Sequence, residues 1–216
     1  MTDMRKSREF SPVLQIAKIN LRHNFLPLCG LSFVVMLLIP VIFGVTNLDS
    51  KAVAVPLEML FSTIGIILFV PIFQPEQNPD TEDIVASKYI DLTYVHLIRV
   101  VYSVLALLLF VTLFSAFLFF NGCEITLNIV FGTIADALFI GGIGLLTAAI
   151  TNNLTVSFML PVIYYLINIM LQKKMGVFNL FGMMIDSYTP NVWLFTTGIL
   201  LIVISVLVKR KIIKGR

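Results

Sequence analysis

The sequence predicts an all-α membrane protein with six transmembrane helices. Of its 216 residues, 58% are hydrophobic and only 12% are charged, whereas soluble domains carry about 25% charged residues. Six apolar runs are long enough to cross a hydrocarbon core of about 30 Å, which needs roughly 20 helical residues. Such runs must be helical, because a helix satisfies its own backbone hydrogen bonds in lipid. No polar block is long enough to bury a core of its own, so residues 1–216 are predicted to form a single transmembrane domain.

Polar connections divide the chain into the six predicted spans. The shortest connection is Thr151, Asn152 and Asn153, so the fourth and fifth spans are predicted to form a tight antiparallel pair. The predicted spans are approximately residues 26–46, 54–73, 99–120, 126–150, 154–171 and 191–208. Small residues recur along the fourth span and favour close helix packing, within the chain or against a second copy. These small residues are Gly132, Ala137, Gly141, Gly144 and Ala148.

Lys and Arg are unevenly divided between the two sides of this arrangement. Of the 15 basic residues, 12 lie in the N-terminal segment, the connection between spans two and three, and the C-terminal tail. The other side holds only Lys51, Lys173 and Lys174. Connections rich in Lys and Arg face the cytoplasm. We therefore expect a multi-pass protein of the plasma membrane with both termini cytoplasmic, and a net charge of +3 that reflects topology rather than nucleic-acid binding.

Residues 11–24 are predicted to form a basic amphipathic helix ahead of the first span. Ser11 is a good N-cap and Pro12 suits the first helical position. An apolar stripe lies on one side of this helix and a polar stripe on the opposite side, which is typical of a helix lying on an anionic membrane surface. The apolar stripe is Val13, Ile16, Ala17 and Leu21, and the polar one is Gln15, Lys18 and Arg22. The alternative is a cytosolic extension of the first span.

A second short amphipathic helix is predicted in the long polar passage between spans two and three. Pro79 excludes a continuous helix, and Asp80 or Thr81 is suited to cap a new one. Apolar and polar residues then recur at helical spacing on two different sides. The first side is Val85, Tyr89, Leu92 and His96, and the second is Asp83, Ser87 and Asp91. Such a helix either docks onto a partner protein or lies on the bilayer and only connects two spans.

The connection between spans five and six, about residues 172–190, is unusually apolar. It is too short and too interrupted to cross the bilayer. One interpretation is a pair of short helices that dip back into the outer leaflet, which requires surrounding protein or a watery cavity. The other is an amphipathic stretch lying flat on the outer surface.

Asp136 lies near the middle of the fourth predicted span. An ionised carboxylate at that depth costs about 2.5–3.5 kcal/mol, so Asp136 is expected to face the bundle interior. It is a candidate for a substrate or proton path, or else a protonated or paired packing group. Glu58 is expected near the outer end of the second span, within reach of water, and a structural role is favoured for it.

Motifs of nucleotide, hydrolase and metal chemistry are missing from the sequence. It contains no phosphate loop ending in Gly-Lys-Ser or Gly-Lys-Thr, no Gly-x-Ser-x-Gly elbow and no His-Glu-x-x-His helix. His23 and His96 are far apart and are expected at membrane interfaces. The chain is therefore expected to be neither an enzyme nor a metal protein.

Three short segments of the sequence carry its most specific resemblance to a known protein family. They are Pro71-Ile-Phe-Gln-Pro-Glu-Gln, Asp83-Ile-Val-Ala-Ser-Lys and Tyr94-Val-His-Leu-Ile-Arg99. Together with the six spans and the two amphipathic helices, they resemble the permease subunits of bacterial ABC-2 type transporters. The resemblance covers the whole chain in layout, although a large extracytoplasmic domain is lacking. In that family, the helix after the second span is the coupling helix that docks into a groove on a separate ATPase subunit. The resemblance implies that residues about 79–92, the coupling segment, would dock there.

The resemblance implies a function and a set of coupling residues. The chain is expected to be the permease subunit of an ATP-driven exporter that moves an amphiphilic peptide, antimicrobial or lipid-like compound outward. Its partners would be cytosolic ATPase subunits, which bind ATP and Mg, and a second permease copy or paralogue. Arg99 would open the third span. The implied coupling residues are Glu76, Asp80, Thr81, Glu82, Asp83, Ile84, Ser87, Lys88 and Tyr89.

Three alternatives to the exporter remain. The first is an ATP-independent secondary transporter or channel that uses Asp136 as its coupling site. The second is an intramembrane enzyme, against which the lack of a nucleophile–base or metal pair argues. The third is a membrane scaffold that transports nothing.

Overall fold

A computed structural model describes residues 25–77 and 92–214 of the chain. Within these ranges all regular structure is helical, as predicted, and six helical segments are long and apolar enough to cross a membrane. The predicted amphipathic helix at 11–24 lies outside the described residues. The predicted coupling helix also lies outside them, except for Leu92, which begins the third span.

In the described part of the chain, seven α-helices and four short 3-10 helices make up the six candidate spans and one connection. The α-helices are α1 (Leu26–Phe43), α2 (Ser50–Met59), α3 (Ile64–Phe69), α4 (Leu92–Phe120), α5 (Leu127–Thr151), α6 (Leu154–Leu171) and α7 (Thr189–Lys214). The 3-10 helices are Phe61–Thr63, Val70–Gln77, Gln172–Phe178 and Met183–Ile185. The second span, Ser50–Pro75, contains α2, α3 and 3-10 turns. Each of the other five spans is a single α-helix.

Two helices begin before the apolar runs predicted as spans, because polar flanking residues continue them. The helix of the second span begins at Ser50, ahead of residue 54, since the Asp49 side chain caps it by accepting from the Ala52 N–H at 3.1 Å. The helix of the third span begins at Leu92, ahead of residue 99. Arg99 therefore lies two turns inside α4 instead of opening it.

The second span and α5 form the centre of the bundle. In the most apolar window of each, 72% of the residues are buried, compared with 11% for α1 and 17% for α6. The two central segments cross at Gly65 and Gly141, where the backbones are in close contact. A methyl group at Gly65 would overlap the Ala137 carbonyl oxygen. The small residues of the fourth span thus serve packing within the chain.

Three connections meet at one end of the bundle, which we call the far end. The first is the segment around Asn47, and the second is the segment around Asn121. The third is the connection of residues 172–188, which we call the 172–188 loop. The Asn47 N–H donates to the Asn121 carbonyl at 3.0 Å. Lys51 pairs with Asp186 of the 172–188 loop at 2.6 Å. These contacts join the three connections into one surface.

The opposite end carries basic residues and is called the basic end. The Lys209 ammonium donates to the Asn152 side-chain oxygen at 2.8 Å, and it lies 5.7 Å from the centre of the Phe73 ring. Arg99 donates to the Ile72 carbonyl at 2.8 Å. The second span, α4, α7 and the turn between α5 and α6 are therefore held together at this end.

We expect Gly65→Ala to destabilise the protein by about 1–3 kcal/mol, because the added methyl group overpacks the crossing of the second span with α5. The measurement is thermal unfolding of the purified chain in detergent. Gly30→Ala in α1 is the matched control, since a Cβ there meets nothing within 4 Å. Equal unfolding temperatures for Gly65→Ala and wild type would contradict the close crossing.

Candidate functional site

The 172–188 loop folds back against the bundle instead of lying over its surface. Leu180, Phe181 and Met183 are buried. The Phe178 ring stacks 6.0 Å from Phe139, which lies halfway along α5. The connection therefore packs against the protein, and its depth in the outer leaflet, on which the two interpretations differ, stays a prediction.

Glu58 is the main polar anchor of the 172–188 loop. One carboxylate oxygen accepts from the Met183 N–H at 2.6 Å and the other from the Met184 N–H at 3.1 Å. The side chain is 1% exposed. The prediction that water reaches Glu58 was wrong, because a segment 125 residues further along the chain covers it. Its position one turn inside an apolar span was the only sequence signal for this role.

Asn168 and Tyr164 on α6 hold the preceding part of the 172–188 loop. The Asn168 amide donates to the Phe178 carbonyl at 3.0 Å and accepts from the Leu180 N–H at 3.0 Å. The Tyr164 hydroxyl also donates to the Phe178 carbonyl, at 2.7 Å. Sequence reasoning missed both residues. A lone Asn close to the end of an apolar span was the available signal.

Asp136 faces the bundle interior, as expected from its place in the fourth span. It is 1% exposed. Neither carboxyl oxygen has a hydrogen-bond partner among the residues that the structure describes. Glu58, the second buried carboxyl group, accepts from the Met183 N–H, and the Met183 sulfur lies against Gly132, one turn from Asp136. Two buried carboxyl groups therefore share one environment, which is unusual within a membrane-spanning bundle.

Asn191, in the first turn of α7, is the third polar side chain at this site. It is 3% exposed, and its amide nitrogen has no partner among the described residues. A methyl group at Gly132 would overlap both this nitrogen and the Met183 sulfur. Gly132 lies one turn before Asp136, so Asn191 and Met183 pack on the same side of α5 as Asp136. We call Glu58, Asp136, Asn191 and Met183 the far-end cluster.

A second polar arrangement lies at the basic end, between the second span and α4. Arg99 donates to the Ile72 carbonyl, and the Ser103 hydroxyl donates to the Leu68 carbonyl at 2.9 Å. Both bonds reach backbone oxygens of the last turns of the second span. We call these four residues the basic-end bracket. The bracket fixes the two helices from which the undescribed connection, residues 78–91, emerges.

The implied coupling residues fall almost entirely in that connection. Glu76 lies in the 3-10 helix Val70–Gln77 at the end of the second span. The others remain predictions, because they lie outside the described residues: Asp80, Thr81, Glu82, Asp83, Ile84, Ser87, Lys88 and Tyr89.

An apolar cavity of about 330 Å³ lies between α4, α5 and α7. Its volume is within the range of small-molecule sites. Several of its lining side chains are also exposed on the outside of the bundle, including Leu108, Ile199 and Val203. The lining residues are Val100, Val104, Leu107, Leu108, Ile134, Leu138, Phe195, Ile199, Ile202 and Val203. The cavity therefore suits an apolar molecule that enters from the side.

Comparison with known proteins identifies no family for this chain. No family model matches it, and no curated protein or solved structure is significantly similar to it. The fold itself defines the class, a multi-pass helical membrane protein with six candidate spans. Within the described residues, no group of three or more His, Cys, Asp or Glu side chains is placed to hold a metal ion.

We expect Asn168→Ala to loosen the 172–188 loop, because the Leu180 N–H loses its buried acceptor at a cost of about 1–3 kcal/mol. Hydrogen–deuterium exchange of the loop amides is the measurement, and exchange should become faster. Ile167→Ala, at the neighbouring exposed position of α6, is the control and should leave exchange unchanged. An unaltered exchange rate in Asn168→Ala would show that Asn168 does not hold the loop.

Proposed function

We propose that this chain is the membrane-spanning permease subunit of an ATP-driven exporter of the ABC-2 type. Separate cytosolic ATPase subunits bind ATP and Mg and dock onto the 79–92 coupling segment. The chain pairs with a second copy or a paralogue. The observation that carries the proposal is the basic-end bracket, which flanks the segment that resembles a coupling helix.

The bracket supports a mechanical role for that connection. The Arg99–Ile72 and Ser103–Leu68 hydrogen bonds tie the second span to α4 on both sides of residues 78–91. A force applied to the connection thus reaches both helices together. Energy from ATP changes a transporter only through contacts that differ between two states. A short segment anchored at both ends is suited to make such contacts with an ATPase.

The apolar cavity supports an amphiphilic substrate. Its lining side chains among the described residues are all apolar, and it lies between helices of a membrane-spanning bundle. A small hydrophilic ion would find no hydrogen-bonding groups there. An amphiphilic peptide, antimicrobial or lipid-like compound could place its apolar part in this cavity and keep its polar part in the interface.

A second candidate function is ATP-independent transport with Asp136 as the coupling site. It is favoured by the burial of Asp136 inside the bundle, near the middle of α5. The two candidates differ in what they need. A secondary transporter moves its substrate in vesicles that contain this chain alone, whereas the exporter requires the ATPase and ATP.

We expect reversal of the charges at Glu82 and Asp83, as Glu82→Lys with Asp83→Lys, to reduce recovery of the ATPase with the purified chain by about tenfold or more. The reason is that these carboxylates lie on the proposed docking segment. The measurement is quantitative mass spectrometry of proteins that co-purify after gentle detergent extraction. Glu124→Lys, a charge reversal at the exposed far end, is the control and should retain the ATPase. Full ATPase recovery with the double variant would rule out docking through these residues.

We expect the far end to face outward and the basic end to face the cytoplasm, since basic connections stay inside. Glu124→Cys and Lys211→Cys, both at exposed positions, test this orientation in a chain whose two native cysteines are replaced by Ser. A membrane-impermeant thiol reagent applied to intact cells should label the Glu124→Cys chain only. Labelling of the Lys211→Cys chain before permeabilisation would reverse the orientation and overturn the docking proposal.

A further inference from the structure

The far-end cluster combines two buried carboxyl groups with a buried amide, and no cation is buried with them among the described residues. The titratable side chains on the far-end parts of the elements around Asp136 are Lys51, Glu58, Tyr164, Tyr165, Lys174, Asp186 and Tyr188. Lys51 is 59% exposed and pairs with Asp186, and Lys174 is exposed. Neither lysine therefore neutralises the pair inside the bundle.

Glu58 binds the Met183 backbone, and the Met183 side chain packs against α5 one turn from Asp136, so both carboxyl groups lie in one buried region. Two carboxylates in one low-dielectric region cannot both remain ionised without a counterion. Glu58 accepts two backbone N–H bonds, which stabilise its charged form. Asp136 receives no such bond from the described residues. The hydrogen bonds thus distinguish the two acids, because only Glu58 has donors that favour its charged form.

We propose that Glu58, Asp136 and Asn191 form a proton-binding site that controls how tightly the 172–188 loop is held. With the proton on Asp136, Glu58 carries the single negative charge and accepts hydrogen bonds from the Met183 and Met184 N–H groups. When Asp136 releases its proton to water, a second negative charge develops beside Glu58. Repulsion between the two carboxylates then weakens the hydrogen bonds between Glu58 and the 172–188 loop.

Asn191 supplies the second half of this response. Its unpartnered amide nitrogen is a hydrogen-bond donor, and the oxygens of ionised Asp136 are unpartnered acceptors on the same side of α5. Loss of the proton therefore favours an Asn191–Asp136 hydrogen bond. Because the 172–188 loop leads directly into α7, a shift of Asn191 is passed to the loop. The inference applies to either candidate function and does not depend on an ATPase.

The first test measures hydrogen–deuterium exchange of the Met183 and Met184 amides in the full chain in lipid nanodiscs, corrected for intrinsic exchange, over a range of pH. In wild type, we expect protection to fall by about tenfold or more as the pH rises and Asp136 ionises. Asp136→Asn keeps the shape and cannot ionise, so its amides should stay protected throughout. Amides of the far-end connection at 121–126 are the internal control. Equal pH dependence in wild type and Asp136→Asn would overturn the proposal.

The second test observes the proton itself by infrared spectroscopy of the same samples. Wild type at neutral pH should show a carbonyl band of a protonated carboxylic acid, which disappears at higher pH. The band should be absent from Asp136→Asn and present in Glu58→Gln. If wild type shows no such band at any pH at which it is folded, Asp136 carries no proton and the inference fails. A missing band would therefore overturn the proposal on wild type alone, even if a variant does not fold.

Discussion

A carboxylate buried in a helical membrane bundle must be given hydrogen-bond donors, and in this chain the 172–188 loop supplies them to Glu58. The energetic cost of an uncompensated buried charge is several kcal/mol. A regular helix has no free N–H groups in its interior to offer a neighbour. The donors at Met183 and Met184 are available because the loop forms only a short 3-10 turn there, so several of its N–H groups lack helical partners. The irregular loop and the buried acid are thus mutually dependent.

This arrangement requires helices that approach one another closely. Gly132 gives the Met183 side chain room against α5, and Gly65 with Gly141 brings the second span against the same helix. Were α5 lined by large side chains, neither the loop nor Glu58 could reach its present position. The packing of small residues, which looks like ordinary helix association, therefore determines where the far-end cluster forms.

The sequence predicted the helical class and the number of spans because hydropathy and helix length depend on local composition. It also predicted that Asp136 points inward, since lipid excludes a carboxylate. The exposure of Glu58 could not be predicted in the same way, because its partners lie 125 residues away and no local pattern encodes that contact. The start of the helix α4 at Leu92 does not follow from hydropathy for a related reason: a helix continues through polar residues that hydropathy excludes. The roles of Asn168 and Tyr164 depend on the path of the loop and were likewise not predictable.

The second span connects the two polar sites of the molecule. Its far end presents Glu58 to the 172–188 loop, and its basic end offers the Leu68 and Ile72 carbonyls to Ser103 and Arg99. Between them, the 3-10 turn at Phe61–Thr63 interrupts the α-helix, and such interruptions often mark hinges. A displacement at the basic end would therefore change the position of Glu58 relative to Met183. In the proposed exporter, this gives the ATPase a direct physical connection to the 172–188 loop. Binding of a proton to Asp136 would affect the same contact. The ATPase and the proton would thus both change the two hydrogen bonds between Glu58 and the Met183 and Met184 N–H groups.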